Sequence, residues 1–130
     1  MAETLQVGTE FWFAWDAPAG PYSVVFEDDQ QTGYLYAYDR SLDEQPILDA
    51  VHIYNVDAVV DRDIPSSVDV IWSRNGTCAA LYLNHWPHAV FDFEGRIGFC
   101  RTNFPELGKG WDRGHWSEDI PVRYGFPERL

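Results

Sequence analysis

The stretch Val68 to Leu83, VDVIWSRNGTCAALYL, decides the fold class. Asn75-Gly76 is the favoured dipeptide of a two-residue type I′ turn, which needs positive φ at both central positions. A turn there pairs Arg74 with Thr77, Trp72 with Ala79, Val70 with Leu81 and Val68 with Leu83. The other face pairs Ser73 with Cys78, Ile71 with Ala80 and Asp69 with Tyr82. Apolar side chains meet apolar side chains in this register, so the stretch reads as an antiparallel hairpin.

Similar signals lie on either side. Glu10 to Trp15 is an aromatic run and predicts a strand, followed by a Pro/Gly loop from Asp16 to Pro21. Tyr22 to Phe26 and Tyr34 to Tyr38 predict a second hairpin, with an acidic turn from Glu27 to Gly33. Spacing of two puts Tyr34, Tyr36 and Tyr38 on one face of their strand. Ala50 to Tyr54 reads as a strand, after at most one helical turn begun at Ile47. Ala89 to Arg101 reads as a further hairpin. A three-residue loop, Glu94-Gly95-Arg96, keeps Phe91, Phe93, Ile97 and Phe99 on one face, and is preferred over a two-residue loop for that reason. Pro105 to Trp116 reads as loop, and Ile120 to Leu130 as one edge strand limited by Pro121 and Pro127. About seven strands with at most one or two helical turns predict a mainly β fold, or α+β with minimal helix. Its antiparallel hairpins form a curved sheet, a sandwich or a partly open barrel.

A chain of 130 residues with no internal repeat or linker makes one acidic β-rich domain, residues 1–130. The net charge is −12, and it is unevenly spread. Residues 1–61 carry twelve acidic side chains and one basic, Arg40; residues 62–130 are nearly balanced, with nine acidic and eight basic. This charge opposes binding to nucleic-acid phosphates and to anionic membrane surfaces, and favours a basic partner. The N-terminus has no secretory pattern and no stretch reaches the length of a membrane span, so a cytoplasmic protein is expected. Cys78 and Cys100 are then reduced, buried thiols.

No phosphate-binding glycine loop and no nucleophile elbow occurs. His85 and His88, with Cys78, Cys100 or His115, fall short of a metal-ligand pattern, and no cofactor or metal is expected. Two sets of residues are left as candidate sites. Glu27, Asp28, Asp29, Asp39, Asp43 and Glu44, with Tyr34, Tyr36 and Tyr38 as aromatic anchors, suit a surface for a basic protein. The alternative reading of these rings, with Trp12, Trp15 and Trp72, is the hydrophobic core. Asp49, His52, His88 and Arg101 are the best constellation for a small-ligand or enzymatic site, although a strand would point Asp49 and His52 to opposite faces.

Val25-Phe26-Glu27-Asp28-Asp29, Thr32-Gly33-Tyr34, Ile47 to Val56, Pro87 to Phe93 and Cys100-Arg101-Thr102 together carry a resemblance. They resemble a family of small bacterial proteins known as domain of unknown function 2251, over about Tyr22 to Pro105. The resemblance implies a bacterial, cytosolic, small-domain setting and transfers no catalytic residue. The expected function is a protein-binding module, in its most specific form an immunity-type inhibitor of a basic bacterial toxin. The alternatives are a small-ligand or enzymatic β-domain and a structural, oligomer-forming domain.

Overall fold

The computed structural model describes residues 2–102 and 110–130. Ten strands are present among them: β1 Glu3–Leu5, β2 Phe11–Asp16, β3 Tyr22–Asp28, β4 Thr32–Asp39, β5 Ile47–Asn55, β6 Ser66–Trp72, β7 Cys78–Leu83, β8 Trp86–Asp92, β9 Ile97–Cys100 and β10 Asp112–Arg113. A 3-10 turn, Val56–Ala58, follows β5, and a short helix, α1 Ile120–Arg123, lies near the C-terminus. The strands make two sheets, one ordered β1-β6-β7-β8-β9-β10 and one ordered β2-β3-β4-β5. All pairings are antiparallel except β9 with β10. The sheets do not close into a barrel, so of the expected architectures the sandwich is the one realised.

Alternation along the strands builds the core between the sheets. Val24 and Phe26 of β3, Leu35 and Ala37 of β4, and Val51 and Ile53 of β5 are buried from one side. Val68, Val70, Leu81, Ala89 and Phe91 meet them from the other. The six-stranded sheet buries its second face too. Ala80, Tyr82, Val90 and Phe99 pack there against Trp116, Ile120 and Phe126 of the C-terminal segment. Two links hold that segment down: the Tyr82 hydroxyl donates to the Pro127 carbonyl at 2.5 Å, and Arg101 pairs with Glu118 at 2.7 Å.

The hairpin at Val68–Leu83 has the register expected from sequence. Its turn is different. Gly76 has φ +74°, whereas Asn75 stays out of the positive-φ region, and the Gly76 N–H donates to the Ser73 carbonyl. Ser73 Oγ accepts from the N–H groups of Thr77 and Cys78, which makes a four-residue loop between Ser73 and Cys78. A Cβ on Gly76 would lie 2.0 Å from the Ala19 carbonyl oxygen, so the tip is packed against the β2–β3 loop. The turn with two consecutive positive φ values lies instead at Asn84-His85, between β7 and β8.

Five other expectations are corrected. The β8–β9 hairpin pairs Asp92 with Ile97 and Phe91 with Gly98, the register that the sequence reading set aside. Both faces of this sheet are covered, so Phe91 and Phe93 go to one core while Phe99 goes to the other. The acidic turn is shorter than expected, because β3 runs through Asp28 and β4 begins at Thr32. Ile47–Asn55 is strand throughout, and the helical turn follows it. The C-terminal edge strand is absent from the described residues: Ile120–Arg123 is helix, with Pro121 in the first turn where its missing N–H costs nothing. Of the expected loop Pro105–Trp116, positions 105–109 lie outside the described residues, and the remainder contains β10. Among the described residues no helix is long and apolar enough to cross a membrane.

Candidate functional site

The alternation that sends Leu35 and Ala37 inward sends Tyr34, Tyr36 and Tyr38 to the outer face of the four-stranded sheet. Neighbouring strands add to that face in register. Trp12 of β2 lies opposite Glu27 of β3, Glu27 opposite Tyr34 of β4, and Tyr34 opposite His52 of β5. The next row is Ala14, Val25, Tyr36 and Ala50, and the row after it is Asp16, Ser23, Tyr38 and Ile47. Neither core cluster contains a residue of these rows. Trp12 is 60% exposed and Ile47 49% exposed, values large for residues that usually find cover.

Polar contacts order this surface. The Tyr36 hydroxyl donates to Glu27 Oε1 at 2.8 Å. Burial first, and the Glu27 carboxylate second, hold the Tyr36 phenol well above its ordinary range, so it stays a donor. The Tyr34 and Tyr36 rings stack with centroids 5.9 Å apart, and the Tyr34 and His52 rings lie 5.5 Å apart. His52 Nε2 is 2.8 Å from Asn55 Oδ1. The result is a shallow aromatic strip with a carboxylate inside it. Its ring faces suit apolar side chains or cations, and Glu27 suits an ammonium or guanidinium group.

The nine residues expected to meet a basic partner are not one patch. Glu27, Tyr34, Tyr36 and Tyr38 share the face just described, which overturns the reading of Trp12 and these tyrosines as core. Trp15 and Trp72 do pack against the core. Asp29 is exposed in the β3–β4 turn, where its Oδ1 accepts the N–H groups of Gln31 and Thr32. Asp39 is the last residue of β4, at the opposite end, and Asp43 and Glu44 lie beyond it, about 25 Å away at the usual rise of a strand. Asp28 is fully buried and unavailable to a partner. It accepts the Tyr54 hydroxyl at 2.6 Å and the N–H groups of Gly8 and Gln30 at 2.8 Å each, and so ties β5 and the β1–β2 connection to β3.

The other constellation also separates. Asp49 points inward and forms a two-pronged ion pair with Arg113 of β10, at 2.7 and 2.5 Å. His52 points outward, as strand alternation required. Only His88 and Arg101 come together, on the rim of a cavity between the sheets. Arg101 is occupied: it donates to the Pro87 carbonyl from two nitrogens, pairs with Glu118, and lies 5.2 Å from the Trp116 ring. Cys78 and Cys100 are free thiols, pushed above their ordinary range mainly by burial. Among the described residues no group of three or more His, Cys, Asp or Glu gathers in metal-binding geometry.

Sequence reasoning passed over Trp12 and Ile47 as surface residues. The signal for Trp12 was the alternation inside Phe11–Asp16, in which Phe11 and Trp15 turn to the core and Trp12 away from it.

The chain belongs to the family described as "Uncharacterized protein conserved in bacteria (DUF2251)", whose model matches residues 5–124. It is similar to an uncharacterized protein of Haemophilus influenzae, with 40% identity over 94 residues. That match covers 71% of this chain and 58% of the relative, so the chain spans less than two thirds of the relative's length. No solved structure matches it significantly.

Proposed function

We propose that this member of the family is a protein-binding module that takes a basic protein on the outer face of the four-stranded sheet. Its most specific form is an immunity-type inhibitor of a basic bacterial toxin. The observation that carries the reading is the cross-strand row Trp12–Glu27–Tyr34–His52, with Trp12 left 60% exposed beside a carboxylate. An aromatic anchor next to a charge that steers the encounter is the arrangement found at binding hot spots. Charge distribution supports it. The whole four-stranded sheet is built from residues 11–55, inside the half of the chain that carries almost all the net negative charge. Asp29 at one end of the strip and Asp39, Asp43 and Glu44 at the other would frame a cationic surface.

The test is a pull-down from bacterial lysate at low and high salt, with the wild-type chain and a Trp12→Ala/Tyr36→Ala variant immobilised side by side. The wild type should retain a basic protein at low salt and lose much of it at high salt, because exposed charges are screened beyond about 8 Å at physiological ionic strength. The face variant should lose it at both. Equal retention by the two, or no basic protein on either, overturns the reading.

A further inference from the structure

At the side of the sandwich where β5 passes the β7–β8 turn, the two sheets leave a cavity of about 410 Å³. Small-molecule sites usually measure about 300–1,000 Å³. Leu5, Val7, Ile53 and Leu83 give it a largely apolar lining. Most polar groups on its wall are already engaged inside the protein. The Tyr54 hydroxyl donates to Asp28, the Thr102 hydroxyl to the His52 carbonyl, and Asn84 Oδ1 accepts the Ser67 N–H. Arg101 is held by Pro87 and Glu118, so its charge is balanced.

His88 keeps one ring nitrogen outside these hydrogen bonds. Its Nδ1 lies 2.9 Å from the Trp86 carbonyl oxygen, which can only accept, so Nδ1 carries the proton. Burial lowers the His88 pKa, with Arg101 as a smaller cause in the same direction, and favours the neutral ring. Nε2 is then a bare lone pair, with no hydrogen bond from any described residue. That acceptor is on the cavity wall and open to an N–H or O–H from a ligand, whereas a ligand without a donor would strip its water and leave it unpaired. A carboxylate would meet the Nε2 lone pair unfavourably, and a cation would find no carboxylate among the described lining residues.

We infer that this cavity is a binding site for an uncharged, largely apolar small molecule that places one N–H or O–H donor against His88 Nε2. The site is separate from the aromatic strip and does not depend on the protein-binding reading.

Indole and benzothiophene, nearly identical in shape, differ in possessing that donor. Each is titrated into the full chain and followed by NMR of the Leu and Val methyl groups and of the His88 imidazole. Indole is expected to shift the Leu5, Val7 and Leu83 methyls together with His88 Nε2, and to bind about tenfold tighter than benzothiophene, the ratio that one hydrogen bond supplies. In His88→Phe the two compounds should bind alike. In Trp12→Ala the indole affinity should be unchanged, so failure of the protein-binding reading leaves this result intact, and the reverse also holds. Indole and benzothiophene binding equally to the wild type, shifts confined to the aromatic strip, or no shift of the cavity methyls would each overturn the inference.

Discussion

Replacing Asp49 by Asn should loosen the contact between the two sheets at their β5 and β10 margins. The Asp49 side chain is 1% exposed and that of Arg113 is 19% exposed. The carboxylate accepts both guanidinium nitrogens and the Trp111 N–H, and Arg113 also donates to the Ala50 carbonyl at 2.9 Å. Removing one partner of a buried pair costs about 3–5 kcal/mol, because the remaining charge is stranded. The partial exposure of Arg113 lets water compensate some of this, so about 2–4 kcal/mol is expected. For a chain of this size that is a fall in Tm of roughly 10 °C. Equilibrium unfolding in urea, followed by tryptophan fluorescence, reads it as a lower midpoint at unchanged slope. The double variant Asp49→Leu/Arg113→Met removes both charges and should be more stable than Asp49→Asn, since apolar side chains often replace a buried pair at little cost. A single variant within about 0.5 kcal/mol of wild type, or a double variant whose loss equals the sum of two large single losses, would refute the reasoning.

Two further outcomes follow from the packing and the phenols. A Cβ on Gly33 would lie 2.6 Å from the Tyr54 ring, so Gly33→Ala should displace the ring, strain its hydrogen bond to Asp28 and lower stability by about 1–3 kcal/mol in urea unfolding; a neutral effect would mean the ring moves freely. Burial raises the Tyr82 and Tyr124 phenols from 10.0 to about 12, with Asp92 a secondary cause for Tyr124. A folded-state value above the unfolded one stabilises fully below pH 10, and that contribution is lost as pH rises through about 12. Urea midpoints measured across this window should fall, and fall less steeply in Tyr82→Phe/Tyr124→Phe; parallel curves would show that other groups govern the alkaline limit.

The legibility of this fold varied with how each sheet is buried. The four-stranded sheet has one core face and one outer face, so period-two alternation located β2 to β5 and put the three tyrosines on one side. The Val68–Leu83 register was equally legible, even though its turn is not the expected type. The expected turn would close on Arg74 and Thr77 and the observed loop closes one pair earlier on Ser73 and Cys78, which leaves the register of the strands unchanged. The β8–β9 hairpin misled because the six-stranded sheet is covered twice. With apolar residues welcome on both faces, alternation no longer separates one register from its neighbour, and matching Phe to Phe chose the wrong one. Strands β1 and β10 contain only three and two residues and exist through their partners, which no local pattern reveals.

The candidate site was legible in its aromatic part and misread in its acidic part, for one physical reason. A side chain's chemistry is visible in sequence, but the direction in which it points depends on where the strand ends. Placing Asp28 in a turn made it a surface charge; extending β3 by two residues makes it the buried acceptor of Tyr54, Gly8 and Gln30. Glu27, one position earlier, emerges on the opposite face and supplies the carboxylate of the strip. The same parity separates Asp49 from His52 and sends one to Arg113 and the other beside Tyr34. The two faces therefore divide the acidic residues by task. Those aligned with Phe26 and Val51 hold the sandwich together, and those aligned with Tyr34 and Tyr36 stand on the outer face. Neutralising Glu27 should accordingly weaken binding at little cost in stability, whereas neutralising Asp28 should do the reverse.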